Sequence, residues 1–228
     1  MRDHNLQSGA WQAFRTVLFQ RFWFKCFGTM GFTAFFFVAY IYLLKHPVFE
    51  VTSMPVTWLD TVVPFHPAAL IPYLSLWLYV SLPPLFFGTA REIVAYGWRI
   101  GAVCVTGLLI FLFWPTAVPP ADIDWARYPG VAFLKGVDAA GNACPSLHVA
   151  TAMFSAIWLH YLLRRFGARG WLLLLNGIWC VAIVWSTMAT RQHVALDVYA
   201  GLVLGGLGAW LSLPHRLPAG FRTADQFS

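Results

Sequence analysis

Gly170-Trp-Leu-Leu-Leu-Leu-Asn-Gly-Ile-Trp-Cys-Val-Ala-Ile-Val-Trp-Ser-Thr-Met-Ala189 runs without a single Asp, Glu, Lys or Arg. A hydrocarbon layer about 30 Å thick takes about 20 apolar residues of helix to cross, so this stretch is predicted to span a membrane. Working outward from it, five more stretches read the same way, near 27–44, 67–90, 100–117, 147–163 and 194–213. The expected fold is therefore all-α, a polytopic membrane protein with six transmembrane helices in a bundle. Composition agrees, because 59% of the 228 residues are hydrophobic and 11% charged, against about 25% charged in a soluble domain. The longest polar interruption, Ala121 to Pro145, is too short to build a core of its own. The chain thus divides into a segment 1–26, one membrane domain 27–213 and a tail 214–228.

The charges sit between the spans, which excludes nucleic acid as the reason for the net charge of +6. In alternate loops, Arg2, Arg15, Arg21, Lys25, Arg91, Arg99, Arg164, Arg165, Arg169, Arg216 and Arg222 fall on one side, against Lys45, Arg127, Lys135 and Arg191 on the other. The positive-inside rule then places both termini in the cytoplasm. The expected location is a multi-pass protein of a bacterial inner membrane, with the less basic face turned outward. Ahead of the first span, Trp11, Phe14, Val17, Leu18 and Phe22 recur at helical spacing, which suits either a helix lying in the inner headgroup layer or an extension of the span. Cys26, Cys104, Cys144 and Cys180 show no paired spacing, so neither a disulfide framework nor a zinc site is indicated.

Ionisable groups at the membrane end of a span are costly and mark function by default. His148 opens the fourth span; His193 and Asp197 open the sixth, and the alternating topology brings both openings to the same face. His193 and Asp197 are four residues apart, which stacks carboxylate and imidazole on one helical face. An Asp so placed holds one ring nitrogen and leaves the other as nucleophile or base. Pro145-Ser146-Leu147-His148 puts a proline and a hydroxyl at a helix start, where free N–H groups suit an anion. Arg191 adds a cation at the same rim. His46, His66, His160 and His215 read as interfacial residues, and Asp122 with Asp124 as a solvated loop pair, so no metal and no cofactor is expected.

Pro145-Ser146-Leu147-His148 resembles the Pro-Ser-x-His motif of the type 2 phosphatidic acid phosphatase superfamily, and His193 with Asp197 resembles its later His-x-x-x-Asp motif. Counting back, that family's Ser-Arg pair falls on Ser186 and Thr187, so the serine is kept and the arginine is not. The family's basic first motif finds no counterpart in Phe113 to Ala121. Missing bases, Ser186-Thr187 and Ile71-Pro72-Tyr73-Leu74 are similar to the branch containing inositol phosphorylceramide synthases.

The resemblance implies an enzyme in which His193 attacks phosphorus, Asp197 orients it, and His148 protonates the leaving group. Phosphate contacts are then expected from Ser146, Arg191, Ser186 and Thr187, with Arg127 and Lys135 as further cations. The implied substrate is a lipid phosphate, cleaved by water or passed to a lipid hydroxyl such as that of ceramide or diacylglycerol. Other readings of the same residues are an intramembrane serine protease using Ser146 and His193, a bis-histidine haem carrier, and a non-catalytic lipid binder. A mechanism that needs His193 unprotonated and His148 protonated predicts a bell-shaped rate profile. Initial rates measured from about pH 5 to 8 check this, and a flat profile would count against a working pair of histidines.

Overall fold

The structure, a computed structural model, describes residues 14–137 and 142–214. Trp11 and nearly all of the 214–228 tail lie outside them. Helices α1 (Phe22–Lys45), α2 (Trp58–Val62), α3 (Leu70–Tyr79), α4 (Ala90–Phe113), α5 (Pro129–Val137), α6 (Leu147–Arg165), α7 (Gly170–Ala189) and α8 (Ala195–Ser212) follow one another, with 3-10 turns at Pro67–Ala69, Pro83–Phe86 and Trp125–Arg127. Among the described residues the only sheet is a parallel pair, β1 (Thr52–Ser53) with β2 (Thr116–Ala117).

Among the described residues five segments are long and apolar enough to cross a membrane: α1, Pro67–Phe86, α4, α7 and α8. The sixth expected span, α6, is a 19-residue helix, and it falls outside this group because it carries His148, Ser155 and His160 and ends on Arg164 and Arg165. Its position explains the composition. α6 packs on α3, α4, α7 and α8, and eleven of its side chains, from Leu147 to Leu162, are buried, so it needs no lipid-compatible surface. α1 is the opposite case: only Lys25 and Leu44 are buried along it, with Phe36 and Tyr40 partly buried against the core and most of its other apolar residues exposed.

Boundaries shift where capping overrides hydropathy. α4 begins at Ala90 rather than near 100, because Thr89 Oγ1 accepts the Glu92 N–H at 3.2 Å while Glu92 Oε2 accepts the Thr89 N–H at 3.1 Å. This reciprocal cap starts the helix inside a charged stretch. Before α1, residues 14–19 are helical and Arg21 turns the chain through a left-handed conformation (φ 55°), so this piece is a separate helix rather than an extension of the span. Lys25 Nζ fastens it, donating to the carbonyls of Val17 at 2.6 Å and Leu85 at 3.1 Å.

Phe14 against Phe86 and Phe166 and Trp158 on Ser212 mark one end of the bundle. At the other end, the Asn142 amide reaches the Tyr40 carbonyl and β1–β2 joins the loops that follow α1 and α4. That second end carries the site.

α6 and α8 meet through glycine. A Cβ on Gly201 would stand 2.5 Å from the Ser146 carbonyl oxygen, and one on Gly205 would collide with the backbone of Ala150. Small residues at four-residue spacing let membrane helices approach this closely, where packing rather than water exclusion holds helices together. Gly206, one position on, faces open space. Gly205→Ala is expected to cost about 1–3 kcal/mol and Gly206→Ala to be near neutral, measured as the shift in thermal unfolding of the detergent-solubilised protein.

Candidate active site

α6 enters at Ser146, an extended residue whose Oγ accepts the Val149 N–H at 3.2 Å. His148 is the second residue of the helix and its ring stacks on Tyr73 of α3, with centroids 4.0 Å apart. α7 leaves at Ala189 through a tight turn. Thr190 N–H returns to the Ser186 carbonyl at 2.9 Å, Gln192 and His193 both donate to the Thr187 carbonyl at 3.0 and 3.1 Å, and Arg191 sits at φ 58°. That left-handed backbone at a non-glycine residue marks strain held in place by its surroundings. His193 therefore projects from a loop folded back over the end of α7.

One hydrogen bond joins the two motifs. The Ser146 N–H donates to the Asp197 carbonyl at 3.0 Å, which sets the start of α6 against the first turn of α8. Asp197 is fully buried; its Oδ2 accepts the Val194 N–H at 3.0 Å and lies 3.5 Å from His193 Nδ1. Among the described residues, the buried side-chain polar atoms without a hydrogen-bond partner are Asn142 Oδ1, His148 Nε2, Gln192 Nε2, His193 Nδ1 and Asp197 Oδ1. All belong to this end of the bundle. Buried polar groups are satisfied almost everywhere in folded proteins, so such a concentration marks a place built for something else.

Two cavities meet here. One, of about 860 Å³, runs between α1, α3 and α4, is lined largely by Phe, Trp, Leu and Val side chains, and reaches His148 and His193. The other, of about 210 Å³, lies under the loop from Val118 to Trp125 and is lined by Lys135, Asn142, Gln192 and His193. His193 and Asn142 line both.

The chain belongs to the PAP2 superfamily. Its match extends over residues 4–217, nearly the whole sequence, and so includes both motifs described above. PAP2 superfamily membership makes the activity one of the phosphatase or phosphotransferase type. No curated protein and no solved structure matches the chain.

The predicted site residues separate into two groups. His148, His193 and Asp197 converge, with Ser146 beside them. Ser186 and Thr187 are fully buried and their hydroxyls turn back to the Ile183 and Val184 carbonyls at 2.6 and 2.8 Å; the backbone of this pair, rather than its hydroxyls, holds the His193 loop. Arg191 Nη1 donates to the Asp60 carbonyl at 2.9 Å. Arg127 pairs with Asp124 on an exposed 3-10 turn. Lys135, on α5, hydrogen-bonds the Arg191 carbonyl and lines the smaller cavity.

Asp60, Asn142, Gln192 and Tyr73 complete the site and were not picked out by the sequence as members of it. Of these, Tyr73 stood in the quoted Ile71-Pro72-Tyr73-Leu74 stretch without being assigned a role, and Asp60 carried a signal in the Thr57-x-x-Asp60 pattern of a capping box. The four cysteines are free, and burial first, with the Asp197 charge second, pushes the Cys144 thiol up to about 11. A thiol so raised stays protonated near neutrality and offers no nucleophile.

Ser146 Oγ is a fully buried helix cap, the position from which an alanine substitution removes about 1 kcal/mol of stability. Ser146→Ala is expected to lower thermal stability by that order and to weaken turnover without abolishing it. Complete loss of activity in a folded variant would instead mark Ser146 as a nucleophile.

Proposed function

We propose that this chain hydrolyses a lipid phosphate ester at the outer face of a cytoplasmic membrane through a phosphohistidine on His193. The observation that carries this reading is the meeting of an apolar cavity of about 860 Å³ with two buried histidines: His148, whose Nε2 has no hydrogen-bond partner, and His193, whose Nδ1 faces Asp197 Oδ2 at 3.5 Å. The cavity suits acyl or prenyl tails, and the histidines stand where the phosphate would lie. The charge distribution along the chain, with eleven of fifteen basic residues assigned to the opposite side, supports an outward-facing site.

The carboxylate of Asp197 selects the tautomer in which His193 Nδ1 carries the proton, leaving Nε2 with its lone pair. Catalytic hydrogen bonds are often long before substrate arrives, and the 3.5 Å separation of Nδ1 and Oδ2 shortens as positive charge grows on the ring. His193 Nε2 attacks phosphorus, the bond from phosphorus to the lipid oxygen breaks, and His148 delivers a proton to that oxygen. Water then attacks the phosphohistidine, His148 takes its proton, and the P–N bond breaks to release phosphate. Charge on the transferring group needs donors; the N–H groups at the start of α6, Arg191 and Lys135 are the ones nearest to hand.

A second reading has an observation of its own. The smaller cavity, with Lys135, Asn142 and Gln192 around His193, has room for a polar headgroup, as a transferase moving a phospho-headgroup onto ceramide or diacylglycerol requires. Hydrolysis is preferred because it needs only water at the phosphohistidine.

Mass-spectrometric product analysis decides between them. Wild type and His193→Ala are incubated with lipid phosphates and phosphodiesters, with and without ceramide and diacylglycerol. Free phosphate from wild type and at least a thousandfold less from the variant, roughly the loss when a nucleophile is removed, is the expected result. A new phospholipid without free phosphate would establish transfer, and equal activity in both proteins would remove His193 as nucleophile.

A further inference from the structure

We infer that Asp60, in the short helix α2, is a positioning residue that aims His193. This rests on the reading of His193 as nucleophile given above. Asp60 is 4% exposed and holds the His193 segment at both ends. Its carboxylate Oδ1 accepts the N–H of Ala195, the first residue of α8, at 2.7 Å, and its backbone carbonyl accepts Arg191 Nη1 at 2.9 Å. His193 lies midway between those two attachments.

The carboxylate is itself fixed. Oδ2 accepts both the N–H and the hydroxyl of Thr57, at 2.7 and 2.8 Å, so the capping box that starts the short helix α2 also fixes this side chain. A buried anion at the start of α8 is also stabilised by the partial positive charge of the helix terminus, and charge-assisted bonds to backbone N–H groups are among the stronger ones available. Asp197 grips the same turn from within, through Val194 N–H. Two carboxylates from distant parts of the sequence therefore clamp adjacent amides, and the loop that carries His193 has little freedom to swing. Asp60 touches no reacting atom; it acts through the direction in which Nε2 points.

The test separates aim from affinity. Orthovanadate accepts a fifth ligand from a nucleophile in line, whereas inorganic phosphate reports only charge and room. Purified wild type, Asp60→Ala, Asp60→Asn and His193→Ala are titrated with each ion in detergent micelles. Misplacement by about 1 Å costs about a hundredfold in reactions of this kind, so Asp60→Ala is expected to bind vanadate about 10- to 100-fold more weakly while phosphate affinity changes less than about threefold. Asp60→Asn keeps an oxygen for the Ala195 N–H and is expected to recover much of the difference. Should Asp60→Ala fail to fold, judged by near-ultraviolet dichroism of the tryptophans, the Asn variant carries the test with a smaller loss of vanadate alone.

Vanadate binding that falls in His193→Ala but is untouched by either Asp60 variant would overturn the inference and leave the nucleophile standing. Equal losses of vanadate and phosphate would make Asp60 a merely structural residue. Vanadate binding indifferent to His193→Ala would overturn the nucleophile and the role of Asp60 with it.

Discussion

α8 lies on α6 with no side chain between their backbones at Gly201 and Gly205, and the Ser146 amide reaches the Asp197 carbonyl at 3.0 Å. Both features require the two helices to begin at the same depth. That shared start is what brings His148, on the first turn of α6, to the same cavity as His193, just ahead of α8. Any residue larger than glycine at the contact would force the helices apart, and the hydrogen bond between the motifs would be the first to open.

The rest of the bundle is arranged around that contact by the exposure of each helix to lipid rather than by its hydropathy. α6 is polar at both ends and nearly enclosed, while α1 is apolar on all sides and nearly unburied. Enclosed polar groups are paired where they do not belong to the site. Tyr79 donates to Asn176 Oδ1 at 2.6 Å, and Asn176 Nδ2 donates to the Ala156 carbonyl at 3.0 Å, tying α3, α7 and α6 together. Interhelical bonds of this kind contribute about 0.6 kcal/mol on average, up to about 1.7. They fix register more than they add stability.

The spans were legible because lipid exposure writes itself into composition: the run from Gly170 to Ala189 coincides with α7. α6 was legible as a short charge-free stretch, 147–163, although its composition is less lipid-like than that of the other spans, since an enclosed helix has no need of a lipid-like surface. Charge-free windows missed the start of α4, where Thr89 and Glu92 cap each other. At the site, His148, His193 and Asp197 stood out as ionisable groups at span ends, a costly placement with a short list of causes. Asp60, Asn142 and Gln192 did not. Asn142 and Gln192 are ordinary polar residues between helices and Asp60 one of a five-residue helix, and the role of each comes from a fold-back that sequence spacing does not encode. Arg191 was visible as a cation, but its bond to the Asp60 carbonyl depends on a loop that lies 131 residues away in the chain.

The near absence of buried side chains on α1 has a consequence for variation. On its lipid-facing side an apolar residue answers mainly to the bilayer, so exchanging Val38, which is 70% exposed, for another apolar residue disturbs little packing within the protein. Substitutions that stay apolar would accumulate on that side of the helix, while Lys25, Phe36, Tyr40 and the buried residues of α6 would resist change. The usual association of hydrophobic with immutable is reversed on this surface: apolar residues that face lipid are replaceable, and the less lipid-like helix α6 is the more constrained.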